Sequence, residues 1–323
     1  MKTRITELFG IEYPLLLAPM TGTATAPLAA AVSAAGGLGL IGTNTQGPDW
    51  LREQVDEVQA ATDKPWGIGF IQWVVEQKPE MFDAALELHA PVISLSFGEP
   101  ERFVERARKA GSRVVYQAQT VELARRAAAA GADAIVAQGT EAGGHTGRVS
   151  TLPLVPAVVD AVAPVPVIAA GGIADGRGIA AVLMLGAEGV WLGTRFLASR
   201  EAQAHAAAKQ RIVDAGAADT IHTHVYDITG GMNWPDEYAG RAIRNRYTER
   251  WHGHEDELRR SLDQERPAVA AAARAGDTSL SVVYAGEASG LIAEVLPAAE
   301  IVRRIFAEAE KVLHSRSALL LRD

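Results

Sequence analysis

The chain contains no cysteine. That absence removes disulfides, thiolate nucleophiles, cysteine-ligated zinc and iron–sulfur clusters together. Positive charge is not in excess: 31 Lys and Arg stand against 39 Asp and Glu, a formal net charge of −8. No long basic run occurs, so the clustered cationic footprint of a nucleic-acid binder is missing and no such partner is expected. The alanine-rich stretches are broken by Gly, Pro and charge before they reach the length of a bilayer, so no membrane partner is expected either. The N-terminal MKTRITELFG lacks the apolar core of a signal peptide, which makes a cytoplasmic enzyme the expectation.

What is present is a large core and a recurrence. Hydrophobic residues make up 48 % of 323 positions, enough for one large or two ordinary domains. Eight short runs rich in Val, Ile and Leu end in Gly or polar residues: Leu15–Met20, Leu38–Gly42, Trp66–Ile71, Val92–Phe97, Arg113–Ala118, Ala134–Gly139, Val167–Gly172 and Gly189–Thr194. They are nearly continuous in apolar character, as parallel strands covered on both faces are. Ala/Leu/Glu/Arg-rich segments with helical spacing lie between them, several ending in Gly. Eight strand–helix units predict a (β/α)8 TIM barrel. An open doubly wound sheet is the rival, but the first strand ends in APMTGTA rather than in a dinucleotide fingerprint. The repeat stops after Ser199. Residues 1–200 and 290–323 are therefore assigned to the barrel, and 201–289 to a mostly helical cap or insertion.

In such barrels chemistry sits where strands end. The sixth strand is followed by EAGGHTGR, which sets His145 among glycines that let a flat ligand approach the backbone. One titratable side chain there suits proton transfer to a bound substrate; a solvent-exposed loop histidine is the plainer alternative. After the seventh strand comes AAGGIADGRG, with Gly171 and Gly172, and after the eighth GTRFL, with Gly193 and Thr194. Glycine turns at those two strands, with a helix N-terminus, form the common phosphate site of these barrels; ordinary tight turns are the alternative. Smaller signals are His222 and His224 in IHTHVYD and His252 and His254 in WHGHEDE, which lack a third ligand at recognisable spacing, so no metal is expected. His89 and His205 sit in helical segments, and Ser96 and Ser199 have no nucleophile-elbow context.

Taken together, APM near the start, AAAVSAAGGLGLIG, QGTEAGGHTGR, VIAAGGIADGRGIAAVLMLGAEGVWLGTRFL, GRAIRNR and YAGEASGLI resemble the nitronate monooxygenase family. The resemblance extends to the flavin-dependent enoyl-ACP reductases. It implies an FMN-binding barrel acting on a nitronate or nitroalkane with O2, with a homodimer possible. It implies that Ala18, Pro19 and Met20 lie along the flavin. Gln117, Gln138, Gly143 and Gly144 would contact its ring or ribityl chain. Gly171 and Gly172, with Trp191, Leu192, Gly193 and Thr194, would hold its phosphate, and His145 would be the active-site histidine. Two positions depart from the family pattern: Gly69 stands where members typically carry Asn, and Gln117 where many carry Lys. The other readings are an FMN-dependent NAD(P)H reductase of an enoyl thioester or quinone, and a barrel that binds phosphate without flavin.

Overall fold

A computed structural model describes residues 1–43 and 46–320; the last three positions assigned to the closing segment, 321–323, lie outside the described residues. Eleven strands are present among the described residues. They are β1 (Leu15–Leu17), β2 (Gly39–Gly42), β3 (Trp66–Ile71), β4 (Val92–Ser96), β5 (Arg113–Ala118) and β6 (Ala134–Gln138). Then follow β7 (Gly144–Thr146), β8 (Val167–Ala170), β9 (Gly189–Leu192), β10 (Thr220–Thr223) and β11 (Ala239–Ile243).

All eight apolar runs form the parallel sheet, in the order β1-β9-β8-β6-β5-β4-β3-β2. The ring closes between β1 and the residue preceding β2. Leu17 N–H donates to the Leu38 carbonyl at 2.9 Å and Leu38 N–H to that of Leu15 at 2.8 Å. The chain is a (β/α)8 TIM barrel. Its strands read as unbroken apolar runs because alternate residues enter two different cores. Leu16, Leu40, Val115, Val136, Ile168 and Trp191 fill the lumen. Leu15, Leu17, Ile68, Ile93, Ile135 and Leu192 pack outward under the helices. An N-terminal helix, Arg4–Phe9, places Ile5 and Phe9 against the lumen residues and stoppers the lower end.

The region after Ser199 was expected to be a mostly helical cap or insertion. It carries helices at Ala206–Val213, Val225–Gly230, Arg246–Trp251, Glu255–Arg260 and Leu262–Ala275, but also the strands β10 and β11. These join β7, from the loop after β6, in an antiparallel sheet of order β10-β11-β7. The strands were not anticipated because GHT, TIHT and AGRAI are only three to five residues long, too short to show an alternating pattern. Helix Ala298–Leu320 then returns to the barrel, burying Ile301, Val302, Ile305 and Phe306.

Candidate active site

A cavity of about 490 Å³ opens at the C-terminal ends of the barrel strands, within the range of small-molecule and cofactor pockets. Of the residues singled out from sequence, Ala18, Pro19, Met20, Gln117, Gln138, Gly143, Gly144, His145, Gly171, Gly172, Trp191, Gly193 and Thr194 line it. Leu192 does not: strand alternation turns its side chain into the outer core, while its carbonyl accepts from Ala18 N–H at 2.9 Å. No Lys or Arg is among the described lining residues.

His145 lies on a strand, not in a free loop. Residues 144–146 pair with 239–241, which sets His145 opposite Gly240. Its Nε2 is 2.9 Å from Asp227 Oδ1, and both side chains are buried, 8 % and 6 % exposed. Asp227 comes from the first turn of helix Val225–Gly230 in the insertion. A carboxylate accepts, so Nε2 must be the protonated nitrogen and Nδ1, which meets no described hydrogen-bond partner, is left for a ligand. The Trp234 indole stacks on the imidazole, with centroids 3.5 Å apart and planes 7° from parallel. Edge-on contacts to Trp73 and Phe97 hold that indole in turn. Phe97, at the end of β4, has φ 57°, a conformation an aromatic residue adopts only under tertiary constraint.

Below this pair lies an amide network. Gln138 Oε1 accepts from Gln117 Nε2 at 3.0 Å and from Gln119 Nε2 at 2.9 Å. Gln138 Nε2 donates to the His145 carbonyl at 3.1 Å, tying the β7 main chain to the barrel wall. Gln117 thus contributes hydrogen bonding without charge.

The glycine turns sit at the far end. Gly171 and Gly172 have φ of 100° and 71°, which glycine adopts without strain. Helix Gly176–Met184 does not present the free N-terminus expected there. Gly176 N–H donates to Glu308 Oε2 at 2.9 Å, and the next two N–H groups donate to Asp175 Oδ1, each at 3.0 Å. The turn after β9 has no such side-chain cap; Gly193 opens the helical turn Thr194–Leu197, and Thr194 Oγ1 accepts from Gly286 N–H at 3.0 Å. Glu141, which begins the histidine motif, is a helix cap: its carboxylate accepts from the Thr151 amide at 2.9 Å and from the Thr151 hydroxyl at 2.9 Å. Segments 141–143 and 285–286 approach so closely that a Cβ on Gly143 would lie 2.7 Å from the Gly286 nitrogen.

The other histidines take local roles. His222, on β10, meets Thr146 Oγ1 at 3.1 Å, and His224 Nδ1 is 3.4 Å from Asp227 Oδ2. His252 meets Thr223 Oγ1 at 3.1 Å, and His254 precedes helix Glu255–Arg260 rather than lying on its face. His205 caps helix Ala206–Val213 and His89 has φ 52° just beyond helix Glu80–Glu87, so neither is inside a helix. Three site residues, Asp227, Trp234 and Tyr284, went unseen in the sequence. Asp227 stands in the same IHTHVYD stretch that drew attention for its histidines.

A closed barrel carrying a buried imidazole–carboxylate pair over bare main chain at its mouth defines a small-molecule enzyme of the TIM-barrel class. The sequence profile of nitronate monooxygenase matches residues 2–85 and 74–308. A probable nitronate monooxygenase of Staphylococcus aureus is 32 % identical, the match covering 97 % of this chain and 98 % of that protein. A structure titled nitroalkane oxidase from Streptomyces ansochromogenes superposes with a TM-score of 0.81 at 30 % identity, covering 98 % of this chain and 99 % of that one. FabK from Thermotoga maritima superposes with a TM-score of 0.88 at 36 % identity over 99 % of both chains. A Mycobacterium tuberculosis indene-carboxyl-CoA dehydrogenase is 40 % identical over 69 % of this chain; the match spans 63 % of that dehydrogenase's length. The chain belongs to the nitronate monooxygenase family and is a flavin-dependent oxidoreductase. No helix among the described residues is long and apolar enough to cross a membrane.

Proposed function

We propose that the chain uses FMN to oxidise alkyl nitronates, and nitroalkanes through them, with O2, releasing a carbonyl compound and nitrite. The observation that carries this reading is the His145–Asp227 pair in a cavity lined otherwise by apolar side chains, main chain and mostly uncharged polar groups such as Gln117 and Gln138. The residues fit a flavin. Gly144 and Gly172 leave bare backbone facing space that no neighbouring backbone fills. Ala18, Pro19 and Met20 give a slim edge along the first strand, and Gln117 and Gln138 offer amides to a ring or ribityl chain. Gly171, Gly172, Trp191, Gly193 and Thr194 would hold the phosphate. With no cation among the described lining residues, that phosphate would rely on main-chain N–H groups and the Thr194 hydroxyl.

Bound FMN supplies the electron-transfer chemistry towards substrate and O2. The protein's own work is to orient and to move one proton. Asp227 accepts from Nε2, which leaves the Nδ1 lone pair of neutral His145 as the base for the acidic carbon of a nitroalkane. After that transfer the imidazolium holds both protons and binds the nitronate as a hydrogen-bond donor. Trp234 keeps one imidazole face away from solvent. In steady-state assays, His145→Ala should lower turnover of a neutral nitroalkane by roughly 10²–10⁴ and that of preformed nitronate far less; equal losses would refute the base role.

The likeness to FabK supports a second reading, NAD(P)H-dependent reduction of an enoyl thioester or quinone with His145 as proton donor. Rapid anaerobic bleaching of the flavin by NADH or NADPH would favour it, and bleaching only by nitronate would favour the first.

A further inference from the structure

The cavity holds a second polar ring that neither the fold nor the flavin accounts for. Tyr284 lines it, its ring centroid 5.8 Å from that of His145 and tilted by 51°. The hydroxyl makes no hydrogen bond to a described residue, yet it is not among the unpartnered polar atoms sealed from contact by surrounding protein. A buried phenol hydroxyl left unpaired costs stability unless a ligand or water meets it. Its ring position is set by backbone. Tyr284 bridges to Ala242 of β11, and Gly240 on that strand lets both rings in: a Cβ there would lie 2.9 Å from Tyr284 Cε1 and 3.5 Å from His145 Nε2. Burial, then the nearby Asp227 carboxylate, then Tyr226 raise the phenol's pKa, so it stays a neutral O–H donor throughout the working range.

We propose that Tyr284 is a substrate-binding residue whose O–H, joined by His145 Nδ1–H once the imidazole is protonated, grips the oxygens of a planar head group, selecting nitro and nitronate compounds whose remaining part is apolar. The proposal rests on the nitronate reading for its substrate, and it adds a donor that the histidine cannot replace. When His145 acts as base it has no proton to give from Nδ1, so the nitro group needs another donor. When His145 is protonated, the two groups donate together to the anion. The apolar remainder is fitted by Ile71, Phe97 and Met232 on the cavity wall.

Tyr284→Phe keeps the ring and deletes the hydroxyl. The flavin-loaded protein is titrated with 2-methyl-2-nitropropane, which has no acidic C–H and cannot react, and binding is followed by the flavin absorbance change. Loss of one hydrogen bond to a neutral acceptor should weaken binding roughly three- to tenfold. With preformed propyl-2-nitronate, KM should rise roughly tenfold or more, because the acceptor is charged, while kcat changes little. Unchanged affinity for the nitro probe in Tyr284→Phe, or no binding of the probe by the unaltered protein, overturns the proposal. Nitronate turnover by the unaltered protein is scored separately. Its absence sinks the proposed function, whereas turnover with an indifferent Tyr284→Phe sinks only the role of Tyr284. Should Tyr284→Phe fail to fold, the pair Tyr284→Gln and Tyr284→Leu makes the same comparison, with the donor-bearing variant expected to bind more tightly.

Discussion

His145 and Asp227 lie 82 positions apart in the chain and meet at 2.9 Å, Nε2 to Oδ1, where a barrel loop touches the insertion. The contact joins the two parts of the molecule at the atom that decides which imidazole nitrogen carries a proton. Asp227→Asn should reverse that choice, since an amide can donate to Nε2 and leave the proton on Nδ1. Turnover of a neutral nitroalkane should fall by roughly 10²–10⁴ while preformed nitronate is far less affected. Asp227→Glu should recover part of the loss; steady-state comparison of the two substrates decides it.

Gly69 stands where the packing leaves no room for a side chain. A Cβ there would lie 2.2 Å from Pro19 Cβ and 2.3 Å from Pro19 Cγ. Gly69→Asn should therefore destabilise the chain by about 1–3 kcal/mol through overpacking, and loosen flavin by shifting the APM edge. Thermal melting and flavin retention on gel filtration measure both. Pairing it with Pro19→Gly should restore much of the melting temperature, because the two sites share the clash.

Gly286 packs closely against the histidine motif on the cavity wall. A Cβ there would lie 2.4 Å from the Glu141 carbonyl oxygen and 2.8 Å from Gly143 N, both backbone atoms that cannot swing aside. Gly286→Ala should cost about 1–3 kcal/mol and weaken FMN binding by parting segments 141–143 and 285–286. Apoprotein melting and FMN titration separate the two effects.

His222 gives the cap sheet a pH dependence. Burial, then the charge of Arg241, lowers its pKa below the ordinary histidine value. As pH falls through that ordinary value the unfolded chain takes up a proton that the folded chain refuses, so stability declines until pH reaches the folded value. Melting temperature measured from pH 8 downward should show this loss beginning near pH 6.5. In His222→Gln that component should be absent; an unchanged profile would show that His222 does not contribute.

The barrel was legible because strands covered on both faces leave continuous apolar runs, and all eight appear where those runs lie. His145 and the glycine turns were legible because they fall at strand ends. The site's upper half was not. Asp227, Trp234 and Tyr284 reach His145 only through the antiparallel pairing of Gly144–Thr146 with Ala239–Arg241, and three polar residues give no periodic signal of such a strand. The capped N-terminus of helix Gly176–Met184 was likewise hidden, since Glu308 arrives from 132 residues away.

That pairing also constrains how the chamber can admit a molecule. The histidine and the roof above it hang from one hydrogen-bonded ribbon, so swinging the insertion aside would carry His145 away from the cavity or tear the ribbon. Traffic must then pass beneath a roof that stays in place, by side chains such as Met232 yielding. Bulky guests would be turned away at the door while the proton-handling geometry within remains assembled between turnovers.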